Sequence, residues 1–129
     1  NDPVSFNSSI SENFSIVGFL NSILPGLINF DYALNFAADR QQFGQQIGKF
    51  QGVSFQLADM ITEIDAADFM TLASAWRLDQ GLLANREIAS AKLYATEMLA
   101  RVTDAALQIH GGMGLMDDYP IERFWRDAR

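Results

Sequence analysis

Two short stretches carry the residue types that could hold an anion. Residues 106–116 read ALQIHGGMGLM: a helical apolar run to Ile109, then His110, then glycines at 111, 112 and 114. One glycine is enough to stop a helix, so this much backbone freedom suggests a chain that must lie close to something. Diphosphates are bound by exposed backbone N–H groups and by guanidinium forks. Glycines at 111, 112 and 114 would let backbone approach such a ligand without side-chain obstruction. The second stretch, DRQQFGQQIGKFQG at 39–52, holds Arg40, Gln42 and Phe43. Its glycines at 44, 48 and 52 favour a loop between helices, and Gly44 fits a turn that needs positive φ. Taken alone, Arg40 suits the C-terminal dipole of the helix before it, Phe43 suits loop packing, and Gln42 suits a solvated turn.

The elements that must position these residues are helical. A first helix is predicted from about Glu12 to Asp39, with Phe14, Val17, Leu20, Leu24, Leu27 and Leu34 largely on one side. Phe19, Ile23, Ile28 and Phe30 widen that face, which implies burial on more than one side, and Pro25 should kink the helix. A second helix is expected from about Gln51 to Gln80, with Val53, Leu57, Met60 or Ile61, Ile64, Ala67, Thr71 and Ala75 at a spacing of three or four. After a turn at Gly81, a third runs from about Leu83 to His110. Its stripe of Ile88, Ala91, Ala95, Met98, Val102, Ala105 or Ala106, and Ile109 is alanine-rich, so a neighbour can approach closely. Asp118 could cap a last helix opening at Pro120. Three long helices with short connections make an all-α, up-and-down antiparallel bundle. Its fourth helix is truncated, which leaves an apolar groove that a partner chain could fill. One domain is expected, with residues 1–11 a polar flexible N-terminus and 12–129 the bundle.

Bulk properties narrow the function. The 129 residues are 49% hydrophobic and 19% charged, a globular composition. Sixteen acidic against nine basic residues give a net charge of −7, which argues against nonspecific nucleic-acid binding. The absence of cysteine removes thiol catalysis, disulfides and thiolate metal sites, and a single histidine removes any multi-histidine metal site. No leader is legible in NDPVSFNSSISENFS, and IVGFLNSILPGLINF is too short and interrupted for a membrane span.

Three strings in order, ADRQQFGQQIGKFQGVSFQLADM (38–60), ALQIHGGMGL (106–115) and DYPIERFWRDAR (118–129), together resemble the C-terminal domain of the flavin-dependent acyl-CoA dehydrogenases. The resemblance covers about Asp31 to Arg129. It implies an enzyme of fatty acid metabolism that removes two hydrogens from the α and β carbons of an acyl-CoA thioester, with FAD as acceptor and an electron-transfer flavoprotein as reoxidant. It implies a homo-oligomer, dimer or tetramer, in which FAD touches the bundle of a neighbouring subunit. It carries over FAD contacts to Arg40, Gln42, Phe43, Gln51, Gln108, Gly111 and Gly112, with Ile47 and Phe50 shaping an apolar wall. His110 is then a satisfied interdomain histidine rather than a base. The family setting is the bacterial cytoplasm or the mitochondrial matrix.

Two family elements have no match. The glutamate that many members carry just beyond a stretch like RDAR is not present in the 129 residues. The alternative first-helix position falls near Phe14, where the nearest carboxylate, Glu12, is more than half a turn away. The CoA-binding arginine of many members falls at Ser15. No catalytic base and no metal ligand are assigned, and the bundle alone is expected to be inactive. The alternative is a stand-alone helical oligomerisation or interaction module without catalysis. Acyl chain length, branching and electron acceptor are not readable from these residues.

Overall fold

The computed structural model describes residues 16–129, with side-chain surroundings from residue 21. The N-terminal stretch 1–11, Glu12, Phe14 and Ser15, and the side chains of Val17, Phe19 and Leu20, lie outside the described residues. In order come α1 (Ile16–Asp39), strands β1 (Gln41–Gln42) and β2 (Gln45–Gln46), a 3-10 turn (Ile47–Lys49), α2 (Gln51–Asp79), α3 (Asn85–His110), a second 3-10 turn (Gly111–Leu115) and the short α4 (Ile121–Asp127). The long helices run up, down and up, and each packs on the other two.

The alanine-rich stripe of α3 forms the centre. Ile88, Ala91, Ala95, Met98, Val102, Ala106 and Ile109 are all buried. Small side chains on α3 let α1 and α2 close on it. Gly26 of α1 lies where an added Cβ would stand 3.4 Å from Met98 Sδ and 3.6 Å from Ile64 Cγ1, which brings all three helices together at one level. From α2, Leu57, Met60, Ile64 and Ala67 meet this layer, while Val53, Thr71 and Ala75 are half-buried. Ile121 anchors α4 on the same core, and Trp125 Nε1 donates to Asp104 Oδ1 at 3.0 Å. The charges of α4 are partly paired, with Glu122 and Arg126 at 2.7 Å one turn apart.

Several expectations need correction. The 39–52 connection is not a plain loop but holds a two-stranded hairpin, for reasons given below. The broad apolar face of α1 is covered only in part: Ile23, Ala33 and Ala37 are buried, whereas Leu24, Leu27 and Leu34 are exposed. As the sequence implied, Pro25 lies inside the helix, and Asn29 Nδ2 donates to the Pro25 carbonyl at 2.8 Å. Helix α3 starts at Asn85 rather than Leu83, because Arg77 Nε and Nη2 donate to the Leu83 carbonyl at 3.2 and 3.0 Å. That carbonyl is thereby turned from the helical ladder. Asp118 does not cap α4. Pro120 occupies the cap position without a side-chain hydrogen bond, which leaves Asp118 two residues too early to reach the first-turn amides. Among the described residues no helix is long and apolar enough to cross a membrane.

Met98 is fully buried where the three helices meet, while Leu93 on the same helix is 65% exposed. Chemical denaturation should show Met98→Ala destabilised by roughly 2–5 kcal/mol. Leu93→Ala should stay within about 0.5 kcal/mol of the parent.

Candidate functional site

An up-down-up path brings the C-terminal ends of α1 and α3 to the same end of the bundle. Phe36, in the last turn of α1, stacks on His110, the last residue of α3, with ring centroids 4.4 Å apart and planes 28° apart. Tyr119 meets both rings edge-on, at 5.9 Å from Phe36 and 5.2 Å from His110. A cleft of about 360 Å³ opens beside this aromatic cluster. Arg40, Gln42 and Ile47 line it from the α1 side, and His110, Gly112 and Met113 from the α3 side.

The first wall is shaped by the hairpin. Gln41 pairs with Gln46 and Gln42 with Gln45, and the Ile47 N–H donates to the Arg40 carbonyl at 2.8 Å, closing its base. Phe43 and Gly44 have φ of 53° and 81°, the positive pair that a two-residue type I′ loop requires. Gly44 takes this conformation freely. A bulky aromatic does not, and such a residue stores on the order of 1–3 kcal/mol of strain. Phe43 is also 94% exposed, so its burial offsets little of that strain. An edge contact with Phe50 at 6.4 Å steadies the ring.

On the second wall the three glycines divide their work. Gly111 holds φ 57°, ψ −140°, where a side chain is strained, and turns the chain out of α3. Gly112 is exposed, and an added Cβ would meet nothing within 4 Å, so its outer side is free for a ligand. Gly114 is different. It is buried, and a Cβ there would stand 2.9 Å from both His110 Cβ and Leu107 Cδ1. Its role is packing the turn against α3, which corrects the expectation that all three glycines face a ligand.

His110 is 3% exposed. Its Nδ1 lies 2.8 Å from the Ala106 carbonyl, which can only accept, so Nδ1 carries the proton. Burial pushes the imidazole pKa below its ordinary value, partly offset by that bond. The ring is thus neutral near pH 7, with Nε2 a lone-pair acceptor. Nε2 is buried and has no partner among the described residues. Among the described residues the histidine is therefore half satisfied.

Arg40 is exposed and makes no ion pair among the described residues. An unpaired guanidinium and an open glycine on one cleft suit an anionic ligand that backbone can approach closely, as a diphosphate does. Of the residues read from the sequence, the cleft brings together Arg40, Gln42 and Gly112, with Ile47. Phe43, Gln108 and Gly111 are exposed nearby in the chain, outside its lining, and Gln51 is exposed at the start of α2. The sequence reading overlooked Phe36, Met113 and Met116 and undervalued His110. Phe36 could have been found, since it stands one helical turn before Arg40. Among the described residues no cluster of His, Asp or Glu could hold a metal ion.

Fold and cleft together define a helical-bundle domain with an arginine- and glycine-lined cleft at one end. The chain belongs to the acyl-CoA dehydrogenase family, whose C-terminal domain matches residues 28–129. It is 48% identical over 99 residues to the probable acyl-CoA dehydrogenase YngJ of Bacillus subtilis, covering 77% of this chain and 26% of that protein. The butyryl-CoA dehydrogenase of Megasphaera elsdenii superposes with a TM-score of 0.83 at 34% identity, covering 88% of this chain and 30% of that one. The FAD complex of PigA superposes with a TM-score of 0.81 at 29% identity, over 83% of this chain and 28% of that one. The chain thus spans about a quarter of the curated relatives' length.

The division among glycines is testable by substitution. Gly114→Ala should lose about 1–3 kcal/mol of stability through overpacking. Gly112→Ala should be close to neutral in thermal unfolding, and should weaken ligand binding at the cleft.

Proposed function

We propose that this domain supplies one wall of an FAD site in a flavin-dependent acyl-CoA dehydrogenase acting on the α and β carbons of acyl-CoA thioesters. The observation that carries the reading is the shared cleft of Arg40, Gln42 and Gly112 at one end of a bundle of this family. In it the Arg40 guanidinium forks onto the diphosphate. Gly112 lets the backbone come close, and Gln42 offers amide hydrogen bonds to the nucleotide. Gln108, Gly111, Phe43 and Gln51 extend the contact on the exposed surface around the cleft. When bound, FAD supplies the hydride acceptor. The domain positions its nucleotide end and keeps water from one side of it.

No carboxylate of the described residues lies in this cleft, so none of them is assigned as the proton-abstracting base. The isolated bundle is accordingly read as inactive. Flavin added to the purified chain should stay oxidised when acyl-CoA is supplied, and bleaching on acyl-CoA addition at a turnover rate, reversed by an added oxidant, would overturn this.

The 94% exposure of Phe43 and the exposed Phe69, Leu72 and Trp76 of α2 support a homo-oligomer in which a second subunit covers part of this surface. An electron-transfer flavoprotein is the proposed oxidant of the reduced flavin. The same apolar surface is what a purely interacting module would use, but the anion-accepting cleft favours the flavin reading.

In the complete oligomeric protein, Arg40→Ala should weaken FAD binding by roughly ten- to a hundredfold, the worth of a charge-assisted hydrogen bond. FAD should then be lost on gel filtration while the unfolding temperature of the apoprotein stays put, since Arg40 is exposed and unpaired. Full FAD retention by this variant would remove Arg40 from the site.

A further inference from the structure

Helix α2 carries a second surface, which the cleft does not use. Phe55, Thr62, Phe69 and Trp76 recur along it at steps of seven, and Ala66 and Ala73 follow Thr62 and Phe69 by four. Ala58 joins them three places after Phe55. This three-and-four spacing sets all of them on one stripe, the pattern of a coiled-coil seam. The stripe turns away from the buried Leu57, Met60, Ile64 and Ala67, and Phe55, Phe69 and Trp76 are 62%, 70% and 58% exposed. None of its positions is charged. Asp59 and Asp65 border it on opposite sides, both exposed and neither in an ion pair among the described residues.

The stripe mirrors itself. Phe55 and Trp76, Ala58 and Ala73, and Thr62 and Phe69 stand in pairs equidistant from the midpoint between Asp65 and Ala66. We propose that a second copy of this chain docks here, laying its α2 antiparallel on the first, with the two helices crossing at Ala66. The proposal rests on the homo-oligomer reading and deepens it by naming the surface and its register. In a two-fold contact each residue meets its mirror mate on the other copy. Phe55 then meets Trp76 of the second copy, Ala58 meets Ala73, and Phe69 seats over Thr62. Rings close both ends, and the alternation of large and small side chains lets the two faces interdigitate.

Area and charge set the strength of the contact. The exposed parts of the three rings, with the exposed Leu72 beside them, offer on the order of 500 Å² per copy. Two copies would cover about 1,000 Å², the least that a specific contact needs, so the dimer is expected to be weak and concentration-dependent. Charge opposes it. Arg77 is the first cation of α2, so Asp65 meets Asp65 of the second copy beside the crossing without a counter-charge from either helix there. The acids alone would suit a basic helix. The mirrored rings and alanines decide for a second copy, since a different partner makes no use of such symmetry.

Sedimentation velocity on the 129-residue chain, from micromolar to millimolar concentration, should show a monomer–dimer equilibrium. Added salt should strengthen it by screening the acids. Phe69→Glu should weaken it at least about tenfold, the effect of losing an aromatic anchor, while Leu93→Glu on α3 leaves it unchanged. Asp65→Asn should tighten it roughly two- to fivefold. The chain has no cysteine, so Ala66→Cys should oxidise to a covalent dimer and Leu93→Cys should not. A dimer that survives Phe69→Glu, or that cross-links at Leu93→Cys but not at Ala66→Cys, would overturn this surface and leave the homo-oligomer reading intact. A chain that stays monomeric throughout overturns it as well, and Phe69-dependent binding of a synthetic leucine–lysine helix would then assign the face to a basic partner. The homo-oligomer reading itself stands or falls by the mass of the complete protein. Should Phe69→Glu fail to fold, the two cysteine variants decide alone.

Discussion

The Phe36–His110 stack is the constraint on which the rest of the site depends. It ties the last turn of α1 to the last residue of α3, and an odd number of long crossings makes that contact possible. With two helices, or four, the first and last C-terminal ends would stand at opposite ends of the bundle. With three, the hairpin that follows α1 and the glycine turn that follows α3 emerge side by side. The alanines of α3 draw α1 close enough for the rings to meet, and Tyr119 closes the cluster from the segment before α4. The cleft is thus a consequence of core packing some distance from it.

This arrangement has an electrostatic cost. Two helix C-termini converge on the cleft, each with partial negative charge from unpaired carbonyls, in a chain of net charge −7. The end where an anion is proposed to bind is not the favourable end of either helix. Of the long helices α2 turns its N-terminus this way, and its cap residue, Phe50, makes no side-chain cap bond. In the proposed function, affinity for phosphate rests on Arg40, placed by the hairpin base immediately beyond the end of α1. The dipole role and the ligand role of Arg40 coexist, since an exposed guanidinium at a helix C-terminus offsets the carbonyls and keeps donors for an anion. The strained Phe43 fits the same pattern. A hairpin selected for stability would carry Asn or Gly at that position, whereas this one holds a solvent-facing aromatic ring in a conformation aromatics avoid.

The long elements were legible because apolar spacing of three and four persists over many turns and burial enforces it. Of the apolar positions named on the α3 stripe all are buried but Ala105, whose alternative Ala106 takes the core place, and α2 begins and ends within a residue of where its pattern does. What escaped was local and set by backbone geometry. A hairpin of two-residue strands has no alternation to read, and Phe-Gly is a poor advertisement for a type I′ loop. The start of α3 is displaced by one arginine capturing a carbonyl, and no periodicity reports that. The glycines were correctly read as unusual, yet sequence could not say that Gly114 faces Leu107 inward while Gly112 faces outward. At the site, residue types pointed to Arg40, Gln42 and Gly112. The aromatic floor beneath them was missed because Phe36 and His110 are 74 positions apart and only the bundle's parity joins them.

The unevenness of burial completes the physical picture. The α3 side chains are divided between a fully buried stripe and a polar outer face with ion pairs such as Arg101 to Glu63 at 2.7 Å. In contrast, α2 keeps Phe55, Phe69, Leu72 and Trp76 exposed, and α1 keeps Leu24, Leu27 and Leu34 exposed. Scattered apolar residues need no explanation, but Phe69, Leu72 and Trp76 recur at three and four positions along one outward face of α2. Three helices can enclose one seam, and the central helix of that seam is α3. The faces of α1 and α2 turned from it remain apolar and uncovered among the described residues, in a chain that spans about a quarter of its curated relatives' length. A cleft that is open on one side and walled by a half-satisfied histidine is the polar counterpart of those uncovered faces. Both are surfaces whose chemistry is completed by what docks against them.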